Sequence, residues 1–240
     1  FGDFTAIDGL SFKVDKASIY GLVGYNGAGK TTLLKTISGV YKADGGEVLI
    51  DGVNTYDSTT ERQKLFYVPD DIYFEPYSSI YKMARFYSGY YPSFSYETLD
   101  KLCDVFGLDK HARLNSFSKG MQRQAEMILG MSTNPDILLL DESFDGLDPA
   151  KRNLMNNMLV EYVAERGCSV LLADRNDGSG GILRQCIHRG FGAELTGREY
   201  IAEFSYINVV YIKLSLTGGE YIYSGKCNVF VDHMTFGLIR

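Results

Sequence analysis

The sequence predicts an α/β fold with a small antiparallel β lobe, a helical insertion and a divergent C-terminal tail. Three observations carry this. The apolar run Ile19–Val23 reads as a buried strand that passes through a glycine-rich stretch into the helical pattern of Leu33, Leu34 and Ile37. Ile137–Leu140 and Val170–Leu172 are continuous apolar runs of the kind shown by strands covered on both faces. Turn signals at Gly45-Gly46 and Asp51-Gly52 bracket a short strand, Glu47–Ile50, and mark a hairpin-rich lobe.

At the N-terminus, Leu10 to Val14 already alternates like a strand, so the chain is expected to start mid-sheet. The glycine-rich stretch Gly24-Tyr25-Asn26-Gly27-Ala28-Gly29-Lys30-Thr31-Thr32 matches G-x-x-x-x-G-K-[ST] without a gap. Its glycines let the backbone curl around phosphate oxygens, and the following helix adds the positive end of its dipole. In such a P-loop Lys30 meets the outer phosphates and Thr31 a magnesium ion. Leu65–Val68 is a short strand ending at Pro69. From about Ser78 to Gly107 the pattern is helical, and the region from Tyr73 onward is crowded with rings, among them Tyr73, Tyr77, Phe86, Tyr87, Tyr90 and Tyr91. These rings either pack the insertion's own helices or present an apolar patch to a partner. Ser118 is a good N-cap for a helix that buries Met121, Ala125, Ile128 and Leu129. The strand Ile137–Leu140 delivers Asp141 and Glu142 at its C-terminal end, where α/β sheets place ligands. Asp148 and Pro149 open the next helix and Gly167 stops it. In the tail, Val209–Leu214 and Glu220–Tyr223 alternate like strands but carry no chemical motif.

Composition narrows the function. At 240 residues the chain holds one α/β domain with a sizeable core. It has no apolar run long enough to cross a bilayer and no signal peptide before the glycine-rich loop, so a soluble, cytoplasmic protein is expected. A net charge of −6 disfavours a binder of nucleic-acid phosphates, and no nucleic-acid partner is expected. Cys103, Cys168, Cys186 and Cys227 form no C-x-x-C pair and read as core thiols.

In their order, these motifs resemble the ATP-binding subunit of an ABC transporter over about residues 1–173, with the helical insertion at about 71–133. The resemblance implies a P-loop ATPase core. Gly24–Thr32 is similar to Walker A and Ile137–Asp141 to Walker B, with Asp141 holding magnesium through water and Glu142 polarising the attacking water. Phe117-Ser118-Lys119-Gly120-Met121-Gln122 sits where the family carries its LSGGQ signature. Ser118, Gly120 and Gln122 are implied to reach the γ-phosphate held by a second subunit. Gly146-Leu147-Asp148 resembles the D-loop, which lies at the dimer seam. Phe1 stands where the family stacks an aromatic ring on adenine. After Tyr67-Val68-Pro69 the family carries Gln or Glu, which senses magnesium and the membrane partner; here Asp70 takes that place with a shorter reach. Arg175 stands near the position of the switch histidine, and no histidine follows until His188.

Membership of this family would make the protein an ATPase using ATP and Mg2+. It would pair with a second copy of itself or a homologous ATPase subunit and drive a transmembrane permease subunit from the inner face of the cell membrane. Two other readings are a nucleotide-binding module with impaired hydrolysis and a soluble ATPase of the same type not linked to transport. Residues 174–240 depart from the family. They are either a divergent C-terminal segment or the product of a shifted reading frame, since one free choice of codons for Asp177–Gln185, read one nucleotide later, encodes the acidic helix that the family carries there.

Overall fold

The computed structural model describes Gly2 and residues 5–24, 26–175, 208–213 and 234–236. Its larger sheet contains strand β2 (Ser18–Gly24), which the glycine-rich loop follows. It pairs in parallel with β7 (Ser169–Arg175) on one side and β8 (Asn208–Lys213) on the other. Beyond β7 the sheet continues through β6 (Ile137–Asp141) to β5 (Leu65–Val68), again in parallel, giving the order β5-β6-β7-β2-β8. The end of β2 and the end of β6 are thus separated by the width of one strand. Both point their C-terminal residues to the same edge of the sheet, where loops are free to build a site.

Why β6 is apolar at every position is visible in its packing. Leu138 and Leu140 join one core cluster while Ile137 and Leu139 join the other, and β7 divides Val170 and Leu172 from Leu171 and Ala173 in the same way. Side chains alternate across a strand, so a strand covered on both faces needs apolar residues without interruption. On one face lies α1 (Lys30–Ile37), with Leu33, Leu34 and Ile37 fully buried. On the other lie α4 (Tyr96–Phe106), α5 (Lys119–Ser132) and α6 (Pro149–Arg166) with α3 (Ile80–Ser88); the short α2 (Thr59–Arg62) precedes β5.

The β lobe is a second, four-stranded antiparallel sheet. In it β1 (Lys13–Val14) and β3 (Val48–Ile50) flank β9 (Met234–Phe236), and β4 (Val53–Asn54) closes a hairpin with β3. Asp51 and Gly52 at its turn both have positive φ, 49° and 80°, as a two-residue hairpin turn of the twisted type requires. The tail alternation at Val209 is a strand at the edge of the main sheet, with Val209 beside Ile19. The alternation at Glu220–Tyr223, the glycine run after Arg175 and the question of the reading frame lie outside the described residues.

The helix ends follow local chemistry. Ser118 caps α5 by accepting from the Met121 N–H at 3.2 Å, and Asp148 caps α6 by accepting from the Lys151 N–H at 3.0 Å. Gly167 ends α6 at φ 69°. The helical stretch expected from Ser78 to Gly107 is two helices. Gly89 ends the first, Pro92 cannot continue it, and Ser95 caps the second through the Thr98 N–H.

The aromatic insertion divides between its two readings. Phe74 is buried, and Tyr87 and Tyr91 pack on Phe66 with ring centroids 5.3 and 5.7 Å apart. Tyr73, Tyr77, Phe86 and Tyr90 are more than half exposed. Of the cysteines, Cys103 and Cys168 are buried free thiols, and burial pushes the Cys103 thiol up to about 11; Cys186 and Cys227 lie outside the described residues.

One buried acid gives the fold a pH dependence. Glu126 on α5 is only 5% exposed, and burial pushes its carboxyl up to about 7, opposed only slightly by a long 3.5 Å hydrogen bond from the Tyr87 hydroxyl. A folded-state pKa above the unfolded one gives stability that is full below the unfolded pKa and is lost as pH rises through the folded one. A carboxyl raised to about 7 from the ordinary carboxylate range corresponds to a loss on the order of 3 kcal/mol. Between pH 5 and pH 8 the native chain should therefore lose more thermal stability than Glu126→Gln. Parallel melting curves for the two proteins across that range would contradict this.

Candidate functional site

The glycine-rich loop takes its shape from a close approach of two backbones. Gly29 has φ 92°, and a Cβ there would lie 2.9 Å from the Ala6 carbonyl oxygen, so only glycine fits. Immediately after it α1 begins, and the first N–H groups of that helix face the loop. The buried Lys30 ammonium donates to the Gly24 carbonyl at 2.7 Å, which folds the cation back inside the loop. Asn26, Gly27, Ala28, Gly29, Lys30, Thr31 and Thr32 line an open cleft of about 330 Å³ with Ala6, Asp70 and Glu142. Backbone donors, a buried cation and a helix N-terminus converge there, an arrangement suited to an anion with several oxygens.

Opposite these donors stand three carboxylates. Asp141, at the end of β6, accepts from the Thr31 hydroxyl at 3.2 Å and from the Tyr67 hydroxyl at 3.0 Å. Burial raises its pKa, the two hydroxyls lower it, and the charges of Glu142 and Asp70 raise it again. A cation at this point would relieve that crowding. Among the described residues no group of three or more His, Cys, Asp or Glu is arranged to hold a metal alone. The donors present are a hydroxyl and carboxylates beside a cleft lined by backbone donors and a buried cation, which fits magnesium held by one or two protein oxygens, water and substrate phosphate.

Glu142 follows on a turn with φ 48°, a conformation that costs a residue with a side chain on the order of 1–3 kcal/mol. The turn is held by its N–H donating to the Ala173 carbonyl at 3.0 Å and its carbonyl accepting from the Asp145 N–H at 3.1 Å. This bend carries Glu142 off the strand to the wall of the cleft. Asp70 reaches the same cleft from the end of β5, and its Oδ1 accepts from the Arg123 guanidinium at 2.9 Å.

Ser118 and Gly120 lie elsewhere. With Met121, Gly146, Leu147 and Asp148 they line a second cleft of about 550 Å³, which shares no residue with the first. A Cβ on Gly120 would come within 3.2 Å of the Gly146 carbonyl, so glycine here lets the loop before α6 approach the N-terminus of α5. Gln122 is not brought to this cleft. Its amide donates to the Leu114 carbonyl at 3.1 Å and is spent inside the chain.

Phe1 and Tyr25 lie outside the described residues. The backbone of Arg175 pairs with Gly24 at the first residue of the loop, and its side chain is outside the described part. Two residues that sequence reasoning did not select complete the site, Tyr67 and Arg123. Tyr67 is opposite Leu139 on the neighbouring strand, so it shares a sheet face with Asp141, two residues further on. That depends on the register of β5 on β6, which no local signal carries. Arg123 lies one turn into α5, on the helix that Ser118 caps.

Comparison with known proteins agrees with this geometry. The family model described as ABC transporter matches residues 7–145, more than half of the chain. The ABC transporter ATP-binding protein YtrB of Bacillus subtilis is 29% identical over 217 residues, covering 88% of this chain and 73% of that protein. Nod factor export ATP-binding protein I of Burkholderia lata is 32% identical over 178 residues, covering 72% of this chain and 58% of that protein. The chain thus spans 73% of one of these relatives and less than two thirds of the other. A solved structure of the ATP-binding subunit of an ABC transporter superposes with a TM-score of 0.62 at 27% identity, covering 70% of this chain and 72% of that one. A dimeric ATP-binding cassette bound to ADP and Pi shares the fold with a TM-score of 0.63 at 21% identity, covering 72% of this chain and 80% of that one. The chain belongs to the ABC transporter family and carries that family's nucleotide-binding domain.

Proposed function

We propose that this ATPase domain hydrolyses ATP between two copies facing head to tail, or between one copy and a homologous subunit, and passes the resulting motion to a separate membrane-spanning permease. The observation that carries the reading is the separation of the two clefts on one chain. The loop cleft holds a phosphate cradle, a cation and two acids, Asp70 and Glu142, with Asp141 behind Thr31, whereas the α5 N-terminus, another anion-seeking element, opens into a different cleft. A second chain brings the two kinds of surface onto one nucleotide.

In this reading the loop amides and Lys30 bind the phosphates, and the N-terminus of α5 at Ser118 and Gly120 meets the γ-phosphate of the other copy. Thr31, Asp141 and Asp70 are the residues that would hold magnesium, the carboxylates through water. The metal supplies charge against the β and γ phosphates. Glu142 orients and deprotonates the attacking water. Arg175 stands where the family places a histidine. A guanidinium has no lone pair to hold that water, so turnover is slow while binding is ordinary. The exposed rings Tyr73, Tyr77, Phe86 and Tyr90 are the groups offered to the permease, with Phe86 and Tyr90 packed on each other at 4.9 Å as the apolar centre of that contact. No helix among the described residues is long and apolar enough to cross a membrane.

Phosphate release from ATP and magnesium tests the pairing. The rate per chain should rise with protein concentration and then level off as every chain finds a second. A rate per chain that stays constant on dilution through the nanomolar range, or no release at all, would contradict the proposal.

A further inference from the structure

We propose that Arg123 is a positioning residue that sets how far Asp70 is available to a nucleotide-bound cation, and so ties metal binding in the loop cleft to the α5 helix. The proposal rests on the ATPase reading of the loop cleft. Its physical basis is an ion pair between two elements that the clefts otherwise keep apart. Asp70 lines the loop cleft, and its charge contributes to raising the pKa of Asp141, so it belongs to the group of acids that a cation would meet. Arg123 lies on α5, whose N-terminal residues Ser118 and Gly120 line the other cleft.

The two ends of the pair are held unequally. The Asp70 side chain is 43% exposed and can turn, while the Arg123 side chain is 15% exposed and packed in place. Arg123 uses Nη2 on Asp70 at 2.9 Å, and its Nη1 is buried with no hydrogen-bond partner among the described residues. A buried guanidinium served by one carboxylate oxygen depends on that oxygen, because an unsatisfied buried donor carries its full desolvation cost. Asp70 therefore faces two competing cations, Arg123 on one side and a metal ion on the other. Capture by the metal weakens its hold on α5; retention by Arg123 lowers the negative charge that the metal sees. Both cations draw on the same carboxylate, so each lowers the negative charge that the other meets.

The test is the magnesium dependence of ATP affinity, measured by calorimetry on the full chain with magnesium and with a chelator. Arg123→Met leaves the Asp70 charge facing the cleft, so ATP alone should bind more weakly and ATP with magnesium at least as tightly. The ratio of the two dissociation constants should widen by roughly fivefold or more, the scale of one charge a few ångströms away in a partly exposed site. Arg123→Lys should restore the native ratio. Asp70→Asn should narrow the ratio, and adding Arg123→Met to it should change nothing further. Should Arg123→Met fail to fold, Arg123→Gln keeps a donor without the charge and should widen the ratio in the same way. Equal weakening with and without magnesium, or an Arg123 effect that persists beside Asn at position 70, would make Arg123 a packing residue and overturn the proposal. A native chain that binds no ATP under either condition would instead overturn the ATPase reading, and this proposal with it.

Discussion

Lys30→Ala should lose ATP affinity by a factor of tens to thousands while the protein stays folded. The loop brings the β and γ phosphates together, and the buried Lys30 ammonium is the cation that the structure holds inside its curve. Truncating one member of a buried, hydrogen-bonded charge pair typically costs about 2–5 kcal/mol, which is the stated range when each 1.4 kcal/mol is tenfold. The fold should survive because the Lys30 ammonium is bound to a backbone carbonyl, that of Gly24, and α1 is anchored to the core by the fully buried Leu33, Leu34 and Ile37. Titration calorimetry with ATP and magnesium, beside a melting curve, separates the two effects. Native affinity in the variant would remove the phosphate-cradling role of the loop.

What could be read from the chain alone was whatever has a local cause. The caps at Ser118 and Asp148, the stop at Gly167 and the doubly covered β6 each arise from a few neighbouring residues, and the structure has them where the residues imply. The loop and the pair Asp141-Glu142 were legible for the same reason. The contacts between distant segments were not. Tyr67 meets Asp141 across 74 positions, and Asp70 meets Arg123 across 53, through strand register and helix placement that no short window encodes. Gln122 looked like a group aimed at phosphate, but its helical position turns the amide to Leu114 instead. Composition alone also left the rings of the insertion undivided. Tyr87 and Tyr91 are settled as packing only by their contact with Phe66, and Tyr77 as surface only by its exposure.

Glu142→Gln should slow hydrolysis by two to four orders of magnitude and leave ATP bound. An amide has the shape of the carboxylate but cannot take a proton, and a positioned general base contributes about that much. The strained turn at Glu142 is held by backbone bonds to Ala173 and Asp145, so the substitution leaves the geometry in place. A loss confined to turnover, with affinity kept, is the signature of a group acting in the transition state. Comparable phosphate release by the variant and the native chain would assign the water to another residue.

The same variant carries the most direct test of the two-chain site. With cleavage blocked, ATP and magnesium should hold two copies together, because each nucleotide is met by the loop of one chain and the α5 N-terminus of the other. Light scattering of Glu142→Gln at saturating ATP should give twice the mass of a single chain, returning to one chain when ATP is removed. A single-chain mass in the presence of bound ATP would contradict the account.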